Sequence, residues 1–380
     1  MARLAVIGLG GRAVGMCKAM KAVDPTIEIT AVVDPSPDKV VRSLKEMGFN
    51  PERTALLTSA QELVERRNEF DGIMIGTRCN LHTPMAVAVA QAQRPVFLEK
   101  PVGLTYDQLV ELSNAYRGRE HQVLVSFPLR LTTLFEDVLT IIKSGRLGVI
   151  NQIQAINNVY YGYCYYHEWY RDFKQNGGLW LQKATHDLDY VNLLAQSQPV
   201  SVAAMISRQV YDHPVAPQEI AQIRTDKDPI PDCPVTHQDA GSAIVMYDNG
   251  LHAVYSQNFV TRESAGRRGA IITGHAGTLE FDWVTNNIRV VDHLRKRVDN
   301  IHIDPKGSDD GHGGGDGKLA SNFIQMMKGQ ADALSNLNDG ILSASMCLAA
   351  RESANTHTFQ PVNLPGQPAP RTGPRAVERL

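Results

Sequence analysis

Through residues 1–125 short apolar runs alternate with amphipathic stretches of helical period, the rhythm of a parallel sheet covered by helices on both faces. The runs predict strands at 3–8, 27–34, 72–77, 95–99 and 122–127, with a weaker one at 55–57. Two helix starts carry capping boxes, Ser59 with Glu62 and Thr105 with Gln108, whose side chains can satisfy otherwise orphaned backbone donors. The pattern is that of a Rossmann-type α/β domain over residues 1–126. After Phe127 the period changes. A helix over 131–144 stops at Gly145, a strand over 149–159 runs into the aromatic segment YYGYCYYHEWYRDF, and a second helix covers 179–195. Alternating strands follow near 200–208, 239–248, 251–259, 269–274, 278–283 and 287–292. Short turns such as Asp248-Asn249-Gly250 join them, so residues 127–365 form an α+β domain with an antiparallel or mixed sheet. Helices at 318–328 and 339–355 and a last strand at 359–363 complete it; the tail 366–380 lacks apolar content and is expected to be disordered.

Composition narrows the classes. With 380 residues, 43% hydrophobic and 21% charged, the chain can bury two cores, and a net charge of -2 provides no field to attract nucleic acid or an anionic membrane. The basic run Arg295, Lys296 and Arg297 is expected to be a solvated face. Five cysteines without C-x-x-C spacing argue against a structural zinc site and a disulfide framework. No charged-then-apolar leader precedes the first strand, and no apolar run approaches the roughly 18 residues of a membrane span. A cytoplasmic protein without membrane or nucleic-acid partners is expected.

The run AVIGLGGRA leaves the first strand through Gly8, Gly10 and Gly11 and enters a helix; the second run, ITAVVD, stops on Asp34. Such a turn lets backbone approach a pyrophosphate, and the helix behind it offers unpaired N–H groups and a positive dipole end. Asp34 follows near the roughly 20-residue offset at which an acidic side chain meets a ribose 2′-OH. The expected cofactor is a nicotinamide dinucleotide, and NAD rather than NADP, since Pro35 and Ser36 supply no arginine for a 2′-phosphate. Ala13 takes the third place of G-x-G-x-x-G, where only a small side chain is needed. Gly8, Gly10, Gly11, Arg12, Ala13 and Asp34 are therefore candidate cofactor contacts. Ligands of an open parallel sheet bind beyond its carboxyl edge, which adds Thr77, Asn80 and His82 after one strand and Glu99 and Lys100 after the next. Lys100 is otherwise a solvent-facing strand-end lysine.

A second cluster, GGLWLQKATHDLDYVNLL, places Gln182, His186 and Asp189 on one helix face with Lys183 three residues before His186. A histidine near neutrality suits proton exchange with a hydroxyl, although His186 also reads as a packing residue and Lys183 as a surface one. In a third cluster, His312-Gly313-Gly314-Gly315-Asp316, Asp316 is expected to be a helix N-cap, or His312 and Asp316 touch sugar hydroxyls. Metal binding by His186, Asp189, His312 and Asp316 lacks diagnostic spacing, and no metal is expected. The rings of 160–173, with Trp169 and Arg171 beside them, can stack on and anchor a carbohydrate, or form a sheet edge or an oligomer interface.

These motifs resemble the glucose-fructose oxidoreductase, inositol dehydrogenase and MocA (Gfo/Idh/MocA) family over about residues 1–365: VIGLGGRA, AVVD, the Thr77-to-His82 segment, LEKPVGLT, SGRLG, GGLWLQKATHDLD, ITGHAGTLEFD, HGGGD and DGILSASMCLAARESA. The resemblance implies a C-terminal domain with a large open, mostly antiparallel sheet that often carries the oligomer contact, hence a homodimer or homotetramer. It implies hydride chemistry on sugars, cyclitols or related polyols. The family's E-K-P lysine and D-x-x-x-H histidine map to Lys100 and His186; its aspartate falls on Gln182, which cannot take up a proton, and Lys183 is expected to replace it in contacting substrate. The expected function is an NAD-dependent oxidoreductase acting on a secondary hydroxyl or ketone of a sugar, glycoside or cyclitol. The alternative is a glycosidase using NAD for transient C3 oxidation and elimination. A non-catalytic dinucleotide-binding regulator is a third possibility, which the presence of both Lys100 and His186 argues against.

Overall fold

The computed structural model describes residues 1–211, 232–304, 312–368 and 370. The chain forms two compact units, Met1–Leu131 with Gly307–Ala344, and Thr132–Lys306 with Ser345–Leu380.

The first unit holds a six-stranded parallel sheet in the order β3-β2-β1-β4-β5-β6. Its strands are β1 (Arg3–Ile7), β2 (Glu28–Val33), β3 (Ala55–Leu57), β4 (Gly72–Ile75), β5 (Val96–Leu98) and β6 (Val123–Val125). Every residue of β4, β5 and β6 is buried, as expected for strands covered on both faces. Helices α1 (Gly11–Val23), α2 (Pro37–Glu46), α3 (Ala60–Glu65), α4 (His82–Val89) and α5 (Tyr106–Ala115) connect them. The expected caps form: Ser59 accepts from the Glu62 N–H at 3.3 Å and Thr105 from the Gln108 N–H at 3.2 Å.

The domain division expected from the sequence gives everything over 127–365 to the second domain. Instead, 307–344 belongs to the first unit. The reason is apolar packing: Ala13, Met16, Cys17 and Met20 on α1 share a core with Leu319, Ala320, Phe323 and Ile324, and Phe97 meets Phe323 edge-on at 5.6 Å. Those partners lie on a helix at Gly315–Met327, numbered α8 below.

The second unit begins with α6 (Thr133–Lys143) and contains α7 (Thr185–Ala195). After α8, helix α9 (Leu337–Thr356) contributes its residues from Ser345 onward to this unit. The strands are β7 (Ile150–Asn158), β8 (Pro199–Ser207), β9 (Ala240–Tyr247), β10 (His252–Asn258), β11 (Arg267–Gly274), β12 (Gly277–Asp282), β13 (Asn287–Asp292), β14 (Arg297–His302) and β15 (Gln360–Pro361). They form one sheet in the order β14-β13-β12-β11-β7-β10-β9-β8-β15, parallel between β7 and β10 and antiparallel at the other pairings. The expected large, mostly antiparallel sheet is present. Strand β14, not among the strands expected from the sequence, begins at Arg297 within the basic run expected to be a solvated face; it is a polar edge strand whose side chains give no apolar alternation, and Arg295 and Lys296 form the turn into it. Of the expected tail 366–380, residues 369 and 371–380 lie outside the described residues. Among the described residues no helix is long and apolar enough to cross a membrane.

Candidate functional site

At the carboxyl edge of the first sheet, Gly8 follows β1 with φ +79°, and its N–H donates to the Val33 carbonyl at 2.9 Å. A Cβ there would lie 2.8 Å from Thr77 Cγ2 and 2.9 Å from the Thr77 backbone, so the position needs glycine twice over. Gly10 caps α1 in an extended conformation with no side-chain cap, and the first turn of α1 carries no acidic residue, which leaves its positive end to a ligand. The Asp34 carboxylate accepts the Leu9 N–H and the Ser36 N–H, each at 2.9 Å. It thereby pins the middle of the turn while keeping lone-pair capacity for a hydroxyl.

The alanine in third place has a structural explanation. A Cβ on Gly76, just past β4, would fall 2.8 Å from Ala13 Cβ, so close helix-to-strand packing is achieved by removing the side chain from the strand end. Asn80 Oδ1 is buried without a hydrogen-bond partner among the described residues, a polar atom awaiting a donor. Glycine turn, open helix end, Asp34 and Asn80 fit a dinucleotide.

Other candidates from this edge are occupied by protein. The Arg12 guanidinium grips Asp316 in bidentate fashion at 2.6 and 2.7 Å, donates from Nε to Glu99 at 2.8 Å, and reaches Ser126 Oγ at 3.0 Å. His312 Nδ1 lies 3.0 Å from the same Asp316 carboxylate. Burial would raise the Asp316 carboxyl, but its hydrogen bonds from Arg12 and His312 hold it well below the usual carboxylate range. Arg12, Glu99 and His312, expected at cofactor and substrate, thus join α1, β5 and α8. Asp316 is a correction: Gly314 is the N-cap, and Asp316 sits in the first turn facing Arg12. His82 is buried, with Nδ1 2.8 Å from the Pro101 carbonyl and Nε2 3.1 Å from that of Thr77, so the ring ties two strand-end loops together. Burial lowers its pKa, and a neutral ring donates to one of the two. Lys100 is half-buried directly after β5 and its neighbour Glu99.

In the second unit the helix expected at 179–195 is not uniform. Trp180–Ala184 is a π-helical turn that passes into α7, so α-helical spacing does not relate Gln182 and Lys183 to His186. Gln182, Lys183, His186 and Asp189 are all buried, which corrects the surface alternative for Lys183. Lys183 Nζ donates to the Tyr161 hydroxyl and lies 5.9 Å from the Tyr165 ring centre. Burial, followed by repulsion from Arg268, pulls its ammonium pKa down to about 7 against the pull of Asp187 and Cys164.

Beneath this turn is a charge cluster not foreseen from the sequence. The fully buried Asp187 accepts from Arg268 Nε at 2.8 Å, Asn157 Nδ2 at 2.7 Å and the Tyr255 hydroxyl at 2.8 Å. A carboxylate must be paired once it is buried, but the sequence does not show that Asp187 is buried. Nothing in the sequence singles out Arg268, on β11, as its partner.

The aromatic segment divides. Tyr165 and Tyr166 pack with Val159, Leu179 and Phe259 in a core, whereas Tyr160, Tyr161 and Phe173 are exposed. Trp169 stacks on Tyr170 at 3.9 Å, and Arg171 Nε donates to the Cys233 carbonyl at 2.8 Å. Among the described residues no group of three His, Cys, Asp or Glu side chains is arranged to hold a metal.

Residues 2–127 match the model of an oxidoreductase family with an NAD-binding Rossmann fold, and residues 135–280 match the GFO/IDH/MocA C-terminal domain. Inositol 2-dehydrogenase of Rhizobium meliloti is 24% identical over 151 residues, 38% of this chain and 42% of that protein. A glycosyl hydrolase family 109 protein of Saccharopolyspora erythraea is 34% identical over 124 residues, 31% of this chain and 27% of that protein. The chain thus spans less than half the length of either relative. Among solved structures, a levoglucosan dehydrogenase in complex with NADH superposes with a TM-score of 0.80 at 17% identity, covering 96% of this chain and 99% of the other; at that identity the likeness is one of fold. Matched by the family's models in both halves, with the glycine turn and Asp34 in place at the carboxyl edge of its parallel sheet, the chain belongs to the Gfo/Idh/MocA family of oxidoreductases and carries its NAD-binding Rossmann domain.

Proposed function

We propose that this protein is an NAD-dependent dehydrogenase that interconverts a secondary hydroxyl and a ketone on a sugar, glycoside or cyclitol. The observation that carries it is the combination, in one chain, of an NAD-binding Rossmann domain with a helix burying an amine and an imidazole three residues apart. Gly8, Gly10 and Gly11 would hold the pyrophosphate, and Asp34 a ribose hydroxyl, favouring NAD over NADP. When bound, NAD+ supplies a hydride acceptor. His186 takes the proton of the substrate hydroxyl, because an alcohol cannot become a ketone without losing it. Lys100, as a cation, stabilises the alkoxide charge that develops. Lys183 contacts the substrate where the family has a carboxylate, with Gln182 and Asp189 on the same helical segment and Trp169 and Arg171 as sugar-binding groups. Incubating the protein with NAD+ or NADP+ and a panel of inositols, hexoses and glycosides should give net NADH with at least one polyol and a preference for NAD+. Identity to glycosyl hydrolase family 109 proteins, 34% in a segment covering 31% of the chain, supports a second reading, glycoside cleavage with the cofactor returned to its starting state. Aglycone release without NADH accumulation would select it; no turnover with either readout would remove both.

We also propose that the protein is a homodimer or homotetramer through the second sheet. Met205 and Ile244, on the same face of neighbouring strands β8 and β9, are 73% and 44% exposed, an apolar pair that association would cover. Replacing Met205 and Ile244 together by aspartate should give a monomer in sedimentation or light scattering with the fold intact. An unchanged mass would place the contact elsewhere.

A further inference from the structure

Lys183 is 95% removed from solvent, yet its amine has one exit. Among the described residues its hydrogen-bond partner is the hydroxyl of Tyr161, a residue 37% exposed on the turn after β7 and steadied by an edge-on contact with the Tyr160 ring at 5.1 Å. The groups acting on the amine are Arg268, Asp187 and Cys164, together with the Tyr165 ring. Arg268 and Asp187 are already paired with each other, and burial pushes the Cys164 thiol up to about 12, so it stays protonated at neutral pH. None of the three has a hydrogen bond to Nζ through which a proton could pass. A phenol can accept a proton on its oxygen while releasing its own, and so conduct without changing its charge.

We infer that Tyr161 is the proton outlet of Lys183, joining the buried amine to bulk water. The inference rests on the proposed contact of Lys183 with substrate. A neutral Lys183 that takes over from His186 the proton released by the substrate hydroxyl becomes an ammonium, and His186 returns to its neutral state. Lys183 then passes a proton from Nζ to the Tyr161 oxygen as the phenol gives its own proton to water. Amine and phenol are restored, and the net change is one proton delivered to solvent. The depressed ammonium pKa, about 7, lets both states of Lys183 be populated near neutrality. Tyr161 is thus a relay residue, acting through Lys183 and not on the substrate.

The test uses the full chain with lysine side chains labelled for nitrogen NMR, first without cofactor. One lysine signal should titrate near neutrality and vanish in Lys183→Gln, with Lys183→Met as a second assignment should the first not fold. Tyr161→Phe should lower its midpoint by about half a pH unit or more, because the phenol oxygen that accepts from the ammonium is gone. In turnover at low buffer concentration, Tyr161→Phe should lose about tenfold or more in kcat with KM unchanged, and small diffusible bases such as imidazole should restore it. An unmoved midpoint, or a loss that added base does not restore, overturns the relay. Absence of any polyol oxidation would defeat the dehydrogenase reading, while the NMR titration would still decide the coupling on its own.

Discussion

Replacing His186 with alanine is expected to lower kcat by about 10²- to 10⁴-fold, the range associated with loss of a positioned general base. Nothing else proposed for the reaction accepts the hydroxyl proton directly: Gln182 has no proton-accepting state, Lys100 is assigned as a cation, and Lys183 is assigned the proton only after His186. Affinity for NADH should be unchanged, because Gly8, Gly10, Gly11 and Asp34 belong to the first compact unit and His186 to the second. Steady-state kinetics on the substrate found in the polyol panel, paired with a fluorescence titration of NADH, separates the two effects. Near-normal turnover would remove His186 from the role. A parallel loss of NADH affinity would point to damage reaching the Rossmann unit.

The largest effect on stability is expected at Asp187, replaced by alanine. Its carboxylate, fully buried, is the counter-charge of Arg268 and the acceptor for Asn157 and Tyr255. Removing one partner of a buried ion pair leaves the other charge uncompensated, at a cost of about 3–5 kcal/mol. All three tryptophans, Trp169, Trp180 and Trp283, lie in the second unit, so denaturant unfolding followed by tryptophan fluorescence reads that unit alone. The midpoint should fall substantially in Asp187→Ala. Changing Asp187 to alanine and Arg268 to methionine together should recover much of the loss, since the orphaned charge is then gone. A midpoint close to that of the parent protein would mean that water or a rearranged side chain neutralises Arg268.

The elements of this fold were legible wherever burial is written as a period. Strands β1, β2, β4, β5 and β6 are apolar runs because both faces are covered, and α9 (Leu337–Thr356) lies within two residues of the helix expected at 339–355. Strand β14 was illegible for the opposite reason: it is an exposed edge, and RVDNIH carries no apolar alternation. The glycine turn and Asp34 could be found because their chemistry is local, held by a few backbone atoms between one strand and the next helix. The pairing of Arg12 with Asp316 could not be read, because the two stand 304 positions apart.

By itself, then, the sequence determined the alternation that makes one half a parallel α/β sheet and the other an α+β sheet. It also determined the dinucleotide turn, whose geometry follows from which residues lack a Cβ. The tertiary structure alone decided which charges meet: Arg12 with Glu99 and Asp316, Arg268 with Asp187, and Lys183 with Tyr161. A hydrophobic pattern needs only its own period to be recognised. A buried charge is defined by the partner that compensates it, and chain folding brings that partner from a distance that no local spacing encodes.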